Sequence, residues 1–427
     1  MLYGARQVGK TYILKEFGKN EFDDCVYINC FNNPTVASFF RQDADVHRII
    51  RDLSVYTDKS IEPNKTLLIL DEIQDIPLAV AALKYFNEDA SEYFVATAGS
   101  LLGVMNMEDT SFPTGNVDIL DMYPMTFLEF LNALGQEKKA ALLADREAMG
   151  SINSLAESYV EVLRQYYFVG GMPEAVKEFI DSADVDRVRK IQHDIITAYY
   201  SDIAKHSGKD ALKARMVLQS IPTQLARENK KFIFGAVKPG ARASEFEAAI
   251  QWLVDARIIY KICRATKAEL PLKFYLEHNN FKLYLLDVGL LGAMVEVPAS
   301  QVMIGENIFK EYKGAFTENY VLEQMVTLQK TVIGYFTKDN SSVEVDFLVQ
   351  HAGKLVPVEV KSEENVKSKS FRQFITADNA EKALKGLRLS MRGFVDQGWM
   401  INAPLFAAIF NPPIHSDVNL VSTPNET

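Results

Sequence analysis

The feature that most constrains the fold of this chain is the segment at residues 4–11, GARQVGKT, which fits the pattern GxxxxGK[ST]. In this pattern the glycines let backbone N–H groups wrap around a phosphate, the lysine reaches the β- and γ-phosphates of a nucleotide, and the hydroxyl binds Mg²⁺. A glycine turn without a ligand is the alternative. The predicted binding residues are Gly4, Gln7, Val8, Gly9, Lys10 and Thr11.

Such a loop requires a strand before it and a helix after it. Residues 12–17 place apolar side chains at helical spacing, and we expect Gly18 to end that helix. Only three residues precede Gly4, whereas a central parallel strand usually has about five. The native start therefore lies upstream, or the first strand is shortened. We expect weak nucleotide binding that improves when upstream residues are added.

A second strand and an acidic pair favour the same site. Residues 66–70 form a continuous apolar run, typical of a strand that is buried on both faces of a parallel sheet. Asp71 and Glu72 follow at the strand end, where open α/β sheets bind their ligands. We predict that Thr11 ligates Mg²⁺, that Asp71 holds the ion through water and that Glu72 polarises the attacking water. A solvated turn is the alternative interpretation of the acidic pair.

A third strand at residues 93–97 leads into Ala98-Gly99-Ser100. A polar side chain at this strand end would contact the γ-phosphate or the water, and both Thr97 and Ser100 are candidates. We favour Ser100 as the second catalytic residue beside Glu72. Either side chain could instead cap the next helix.

The segments GARQVGKT, LLILDEIQ and AGSLL, in this order, make the chain resemble AAA-type ATPases of a widespread prokaryotic group that carry a C-terminal domain of unknown function. The resemblance continues at residues 120–131, 170–174, 198–203, 283–291 and 313–361. It implies ATP and Mg²⁺ as cofactors. Two departures from the group are the short segment before the loop and Asn116, which follows Gly115 where many members have a basic residue.

Four domains are predicted: a P-loop core at 1–130, a helical lid at 131–208, a winged-helix-like domain at 209–265 and a restriction-endonuclease-like domain at 266–427. The lid follows from the resemblance. In the winged-helix-like part, residues 245–253 have apolar side chains on one face, but the opposite face carries Glu245, Glu247 and Gln251. A helix that reads DNA would show basic or amide side chains there. A structural or protein-binding winged helix is at least as well supported.

The last third of the chain contains a second set of polar residues. Asp346 lies on a predicted strand at 343–349, and Glu359 and Lys361 lie on a strand at 355–361. This resembles the PD-(D/E)xK arrangement of restriction-endonuclease-like folds. Asp346 and Glu359 would hold a divalent metal, Glu318 would add a carboxylate from a helix, and Lys361 would steady the attacking water. The alternative is a hairpin whose charged side chains face solvent, although apolar residues on both faces favour a buried site.

Composition limits the functional classes. The chain has 427 residues, 48% of them hydrophobic and 24% charged, which is typical of a globular protein. Its net charge of −10 argues against general coating of nucleic acid. Three cysteines without a CxxC motif, no signal peptide and no apolar run of about 20 residues favour a cytoplasmic protein that does not enter a membrane.

Two functional hypotheses remain for this α/β multidomain chain. One is an ATP-driven enzyme that acts on DNA, with the C-terminal domain cutting or clamping it. The other is a nucleotide switch that docks a protein partner, with a catalytically silent C-terminal binding module. The net charge and the acidic helix at 245–253 favour the second. Either protein could form an oligomer.

Overall fold

The computed structural model describes residues 1–99, 113, 115–145, 148–206, 208–227, 230–303, 310–338, 343–362 and 368–408. The chain divides into two compact units. The first contains Met1–Tyr123 and Asp255–Ile258, and the second contains Pro124–Val254 and the residues from Ile259 onward. Within the described ranges, no helix is both long enough and apolar enough to cross a membrane.

The first unit is built on a parallel sheet. In its described part the strand order is β2-β3-β4-β1-β5, and every neighbouring pair runs parallel. The first strand has only two residues, yet it lies inside the sheet and pairs with strands on both sides. The strands are β1 (Leu2–Tyr3), β2 (Asp24–Asn29), β3 (Thr66–Asp71), β4 (Phe94–Gly99) and β5 (Leu120–Asp121).

Helices cover both faces of this sheet. Leu68 and Leu70 of β3 pack into the larger core, whereas Leu67 and Ile69 pack against Leu14 of the first helix. The continuous apolar run of β3 is therefore buried on both faces, which confirms the predicted parallel-sheet strand. The helices of this unit are α1 (Lys10–Glu21), α2 (Pro34–Gln42), α3 (Val46–Thr57) and α4 (Pro77–Asp89).

The prediction that Gly18 ends the first helix is wrong. Helix α1 continues to Glu21, and Gly18 is a buried residue within it. The helix ends where Phe22 takes an extended backbone conformation before β2. The side chain of Phe22 packs edge-on against both Phe17 and Phe94.

The second unit begins with a helical part. Its first helix is started by a capping box, in which Thr126 and Glu129 satisfy each other's backbone N–H groups. The described helices before the second sheet are α5 (Phe127–Ala133), α6 (Glu137–Ala144), α7 (Met149–Ser154), α8 (Ala156–Val169), α9 (Pro173–Ser182), α10 (Val185–His206), α11 (Ala211–Leu225), α12 (Phe234–Val237) and α13 (Ala243–Asp255).

The second unit also contains a mixed sheet, with the strand order β12-β13-β11-β10-β9-β8-β6-β7 in its described part. Its strands are β6 (Ile259–Ala265), β7 (Leu276–Leu285), β8 (Val332–Thr337), β9 (Glu344–His351), β10 (Lys354–Val360), β11 (Gly386–Ser390), β12 (Val395–Asp396) and β13 (Met400–Pro404). The accompanying helices are α14 (Val288–Met294), α15 (Ala299–Met303), α16 (Lys310–Val326) and α17 (Lys369–Gln373).

The mixed sheet of the second unit extends across the predicted boundary between the winged-helix-like domain and the restriction-endonuclease-like domain. Helices α11, α12 and α13 are followed by the antiparallel pair β6–β7, which is the order expected of a winged helix. However, β6 also pairs in parallel with β8, so this hairpin belongs to the same sheet as the C-terminal strands. The predicted limits at 208 and 265 both fall inside the second unit. Residues 246, 249, 250 and 253 of α13 are buried, as helical spacing predicted.

Two of the sequence segments noted above meet in the interior of the second unit. Asp287, which is fully buried, begins α14 and accepts a hydrogen bond from the backbone N–H of Leu290 at 2.8 Å. Its other carboxylate oxygen accepts the backbone N–H of Gly171 at 2.6 Å. One carboxylate thus joins residues 170–174 to residues 283–291.

We expect Asp287→Ala to lower the free energy of unfolding of the second unit by about 3 kcal/mol or more, because two buried N–H groups lose their acceptor. Denaturant unfolding monitored by circular dichroism would measure this change. Asp181→Ala is the matched control, since Asp181 forms an exposed ion pair with Lys177 and should contribute little. Equal losses in the two variants would contradict the proposed role of Asp287.

Candidate functional site

The loop at residues 4–11 connects β1 to α1. Gln7 and Gly9 have positive φ angles of 67° and 95°. Gly9 is the N-cap residue of α1, and it has no side chain that could accept the N–H groups of the first turn. The 12-residue helix therefore begins with backbone donors that a bound anion could accept.

Lys10 lies inside this loop. Its side chain is largely buried, and Nζ donates hydrogen bonds to the carbonyl oxygens of Gly4 at 3.0 Å and Ala5 at 2.8 Å. Burial lowers the pKa of Lys10, although the nearby Glu72 and Asp71 carboxylates work in the opposite direction. The loop thus holds an ammonium group at its centre.

Thr11 and Asp71 meet across the site. The Thr11 hydroxyl donates to Asp71 Oδ2 at 2.6 Å, and the Tyr27 hydroxyl donates to the same oxygen at 2.9 Å. Asp71 Oδ1 accepts the backbone N–H of Glu72 at 3.1 Å. A hydroxyl and a carboxylate are oxygen ligands of the kind that Mg²⁺ prefers, so the residues present fit this ion.

Glu72 follows Asp71 with a positive φ of 51° and begins the short 3₁₀ turn Ile73–Asp75. Its carboxylate is partly exposed, and Oε2 accepts a hydrogen bond from Gln74 Nε2 at 2.6 Å. The negative charge of Glu72 therefore lies directly after the end of β3, beside Asp71, which Thr11 contacts from α1.

Strand β4, which was predicted at residues 93–97, ends next to β3. Thr97 is buried and pairs with Leu70, whose side chain packs into the larger core. The Thr97 hydroxyl has no hydrogen-bond partner among the described residues. Ser100, the favoured candidate, lies outside the described residues. Asn116 accepts a hydrogen bond from Asn87 Nδ2 at 2.9 Å, next to the end of α4.

A second group of charged residues lies in the mixed sheet. The antiparallel pairing of β9 with β10 extends to Phe347 and Val358. Just beyond this pair, Asp346 Oδ2 accepts the backbone N–H of Val360 at 2.8 Å. Lys361 Nζ lies 3.3 Å from Glu359 Oε1. Asp346 is therefore hydrogen-bonded to the backbone of Val360, the residue between Glu359 and Lys361 of the predicted motif.

Helix α16 brings Glu318 to this group, where two lysines accompany it. Glu318 forms an ion pair with Lys230 and accepts a hydrogen bond from the Tyr284 hydroxyl at 3.1 Å. Lys282 is almost completely buried and donates to Glu344 Oε1 at 3.0 Å. We call Lys230, Lys282, Glu318, Asp346, Glu359 and Lys361 the charged cluster.

The pKa values of this cluster reflect its mixed charges. Burial works to raise the pKa of Glu318, but Lys230 and Lys282 outweigh it and hold that pKa below its usual value. Burial and the negative charge of Glu318 together raise the pKa of Asp346. The lysines therefore compensate much of the acidic charge.

The metal role of Asp346 and Glu359 stays a prediction. Among the residues that the structure describes, no group of three or more His, Cys, Asp or Glu side chains is arranged to hold a metal ion. Carboxylates that are already paired with ammonium groups leave little negative charge for a divalent cation.

Comparison with known families agrees with the geometry of the first unit. Residues 1–131 match the model of a family described as an AAA domain. The matched part of the first unit is therefore similar to AAA domains. Residues 160–301 and 313–404 match two families described only as domains of unknown function, DUF8612 and DUF4143. No curated protein sequence matches the chain.

Three solved structures have weak similarity to the chain. The Aeropyrum pernix ORC1 protein in complex with DNA is 16% identical, with 70% of this chain and 86% of that chain covered and a TM-score of 0.24. CDC6P from Pyrobaculum aerophilum is 12% identical, with 70% and 87% covered and a TM-score of 0.23. Protein VC1899 from Vibrio cholerae is 12% identical, with 91% and 95% covered and a TM-score of 0.16.

The structure brings the predicted residues together in two places. In the first unit, the structure brings together Lys10, Thr11, Asp71 and Glu72 at one edge of the sheet. In the second unit, the charged cluster contains Glu318, Asp346, Glu359 and Lys361. Sequence reasoning missed Tyr27, Gln74, Lys230 and Lys282. The sequence could have indicated Lys282, because this lysine interrupts an otherwise apolar stretch at residues 281–286.

Proposed function

We propose that the AAA domain binds ATP with Mg²⁺ at the loop of residues 4–11 and hydrolyses it. The observation that carries this proposal is the 2.6 Å hydrogen bond between Thr11 and Asp71, beside the buried ammonium group of Lys10. Thr11 and Asp71 would hold Mg²⁺, which neutralises phosphate charge when it is bound. The resemblance to AAA-type ATPases favours ATP over other nucleoside triphosphates.

The residues of the chain have separate roles in this proposal. The uncapped start of α1 donates backbone N–H groups to the phosphates, and Lys10 places its positive charge against the β- and γ-phosphates. Glu72 accepts a proton from the attacking water as the water oxygen bonds to the γ-phosphorus. The bond from that phosphorus to the β–γ bridging oxygen then breaks, which releases ADP and inorganic phosphate.

Thr11→Ala should raise the Mg²⁺ concentration needed for half-maximal ATP hydrolysis by roughly tenfold, since one oxygen ligand is lost. A phosphate-release assay across a Mg²⁺ series at saturating ATP measures this change. Thr35→Ala is the control, because Thr35 is an exposed residue of α2 in the same unit. An unchanged Mg²⁺ dependence in Thr11→Ala would contradict the assignment of the metal site.

A second proposal concerns the C-terminal part. We infer that it is a catalytically silent binding module, because lysines neutralise the acidic residues that a metal-dependent nuclease would use. The proposal is supported by the Lys230–Glu318 and Lys361–Glu359 ion pairs. Cleavage of single- or double-stranded DNA in Mg²⁺ or Mn²⁺, lost in Glu359→Ala, would contradict it and restore the nuclease hypothesis.

The partner of this module is a DNA or a protein. The deciding experiment compares ATP hydrolysis by the full chain with and without single- and double-stranded DNA at two salt concentrations. Stimulation that falls with salt would favour DNA, because phosphate contacts release counterions. We expect no stimulation, in line with the net charge of −10, and hence a protein partner.

A further inference from the structure

Gln74 contacts the carboxylate of Glu72. Gln74 Nε2 donates a hydrogen bond to Glu72 Oε2 at 2.6 Å. The 3₁₀ turn Ile73–Asp75 allows this contact, since it reverses the chain directly after β3. Only the amide nitrogen of Gln74 can donate to a carboxylate, so the chemistry of the pair fixes which way the amide points.

The other end of this amide is confined by β4. Gln74 Oε1 is buried and has no hydrogen-bond partner among the described residues. It lies so close to Gly99 that a methyl group at that position would overlap it. Gly99 pairs with Tyr3, the residue directly before the phosphate-binding loop. The Gln74 amide thus lies between Glu72, which follows β3, and the end of β4, which pairs with β1 directly before the loop.

Glu72 needs such a contact for a physical reason. Its side chain is partly exposed and has several rotatable bonds, so an unrestrained carboxylate would spend much of its time in orientations that do not face the reacting water. A charge-assisted hydrogen bond at 2.6 Å is strong enough to select one orientation. Groups that support a catalytic side chain in this way keep it in productive geometry.

We propose that Gln74 is a positioning residue that holds Glu72 in the orientation from which it accepts the proton of the attacking water. This inference rests on the proposed ATP hydrolysis. Gln74 contacts neither the nucleotide nor the metal in this proposal, so it acts on the rate of turnover and not on the binding of ATP.

The first test is Gln74→Ala in the full chain. The kcat for ATP hydrolysis should fall about tenfold, the effect of losing one charge-assisted hydrogen bond, while the affinity for a fluorescent ATP analogue with Mg²⁺ changes less than about twofold. Gln42→Ala is the matched control, because Gln42 is an exposed glutamine at the end of α2. A wild-type kcat in Gln74→Ala would overturn the inference.

A double-mutant cycle separates positioning from general structural support. If Gln74 acts through Glu72, adding Gln74→Ala to Glu72→Gln should change kcat by less than about twofold. A further tenfold loss in the double variant would show that the two residues act independently. That result would also overturn the inference.

Gly99→Ala supplies a test that leaves both side chains chemically intact. The added methyl group should displace the Gln74 amide and lower kcat in the wild-type background. In the Gln74→Ala background the same change should have little effect, because the overlapping atoms are gone. Equal losses in the two backgrounds, with unchanged thermal stability, would contradict the proposed route through Gln74.

Failure of this inference can be told apart from failure of the proposed function. If the wild-type chain does not hydrolyse ATP and Lys10→Ala binds it as well as the wild type, the proposed function is wrong. If the wild type hydrolyses ATP and Glu72→Gln is slow, but Gln74→Ala keeps the wild-type rate, only the role of Gln74 is wrong.

Discussion

Lys10→Ala is expected to weaken ATP binding by at least roughly 100-fold, because the loop loses the buried cation that we propose faces the β- and γ-phosphates. In the wild-type loop, Nζ of Lys10 donates to the carbonyl oxygens of Gly4 and Ala5, so the loop itself fixes the position of this charge. Isothermal titration calorimetry with ATP and Mg²⁺ would measure the change in Kd.

Two controls make this prediction specific. Lys19→Ala removes an exposed lysine from the same helix and should leave ATP affinity unchanged. Because Lys10 also joins two carbonyl groups of its own loop, thermal melting must show that Lys10→Ala remains folded. A folded Lys10→Ala protein with wild-type ATP affinity would disprove the nucleotide site.

Glu72→Gln is expected to slow ATP hydrolysis by at least about 100-fold while ATP still binds, which is the range for loss of a general base. Glutamine keeps the size of the side chain but cannot accept a proton from the attacking water. Single-turnover hydrolysis of radiolabelled ATP would measure the chemical step, and a parallel binding titration would measure affinity.

The matched control for this change is Glu21→Gln, since Glu21 is an exposed glutamate at the end of α1. It should hydrolyse ATP at the wild-type rate. If Glu72→Gln also keeps the wild-type rate, another residue orients the water, and Ser100 is the next candidate to test.

The two units differ in how they carry charge. In the first unit, the buried cation Lys10 lies near Asp71 and Glu72 at a helix start without a side-chain cap, an arrangement suited to a polyanionic ligand. In the charged cluster, acidic residues are matched by lysines from the same unit. Pairing offsets part of the cost of burying these charges and leaves less of the negative charge for a ligand.

The sequence alone determined the local parts of the nucleotide site. The loop at 4–11, the apolar strand before Asp71 and the helix after Lys10 follow from residue types at fixed spacing, which sets backbone conformation over a few residues. The resemblance to the PD-(D/E)xK arrangement singled out Asp346, Glu359 and Lys361. Alternation along a strand placed Glu359 and Lys361 on one face, and it needs no knowledge of distant segments.

Only the tertiary structure decided which side chains meet. Tyr27 reaches Asp71 because β2 and β3 pair in parallel, and Gln74 is confined because Gly99 lies beside it. Lys230 reaches Glu318 from 88 residues away and adds a positive charge beside the predicted acidic residues. The joining of β6 and β7 to the C-terminal strands likewise depends on long-range pairing. Spacing along the chain carries no information about such contacts, because strand order and register are set by packing of the whole unit.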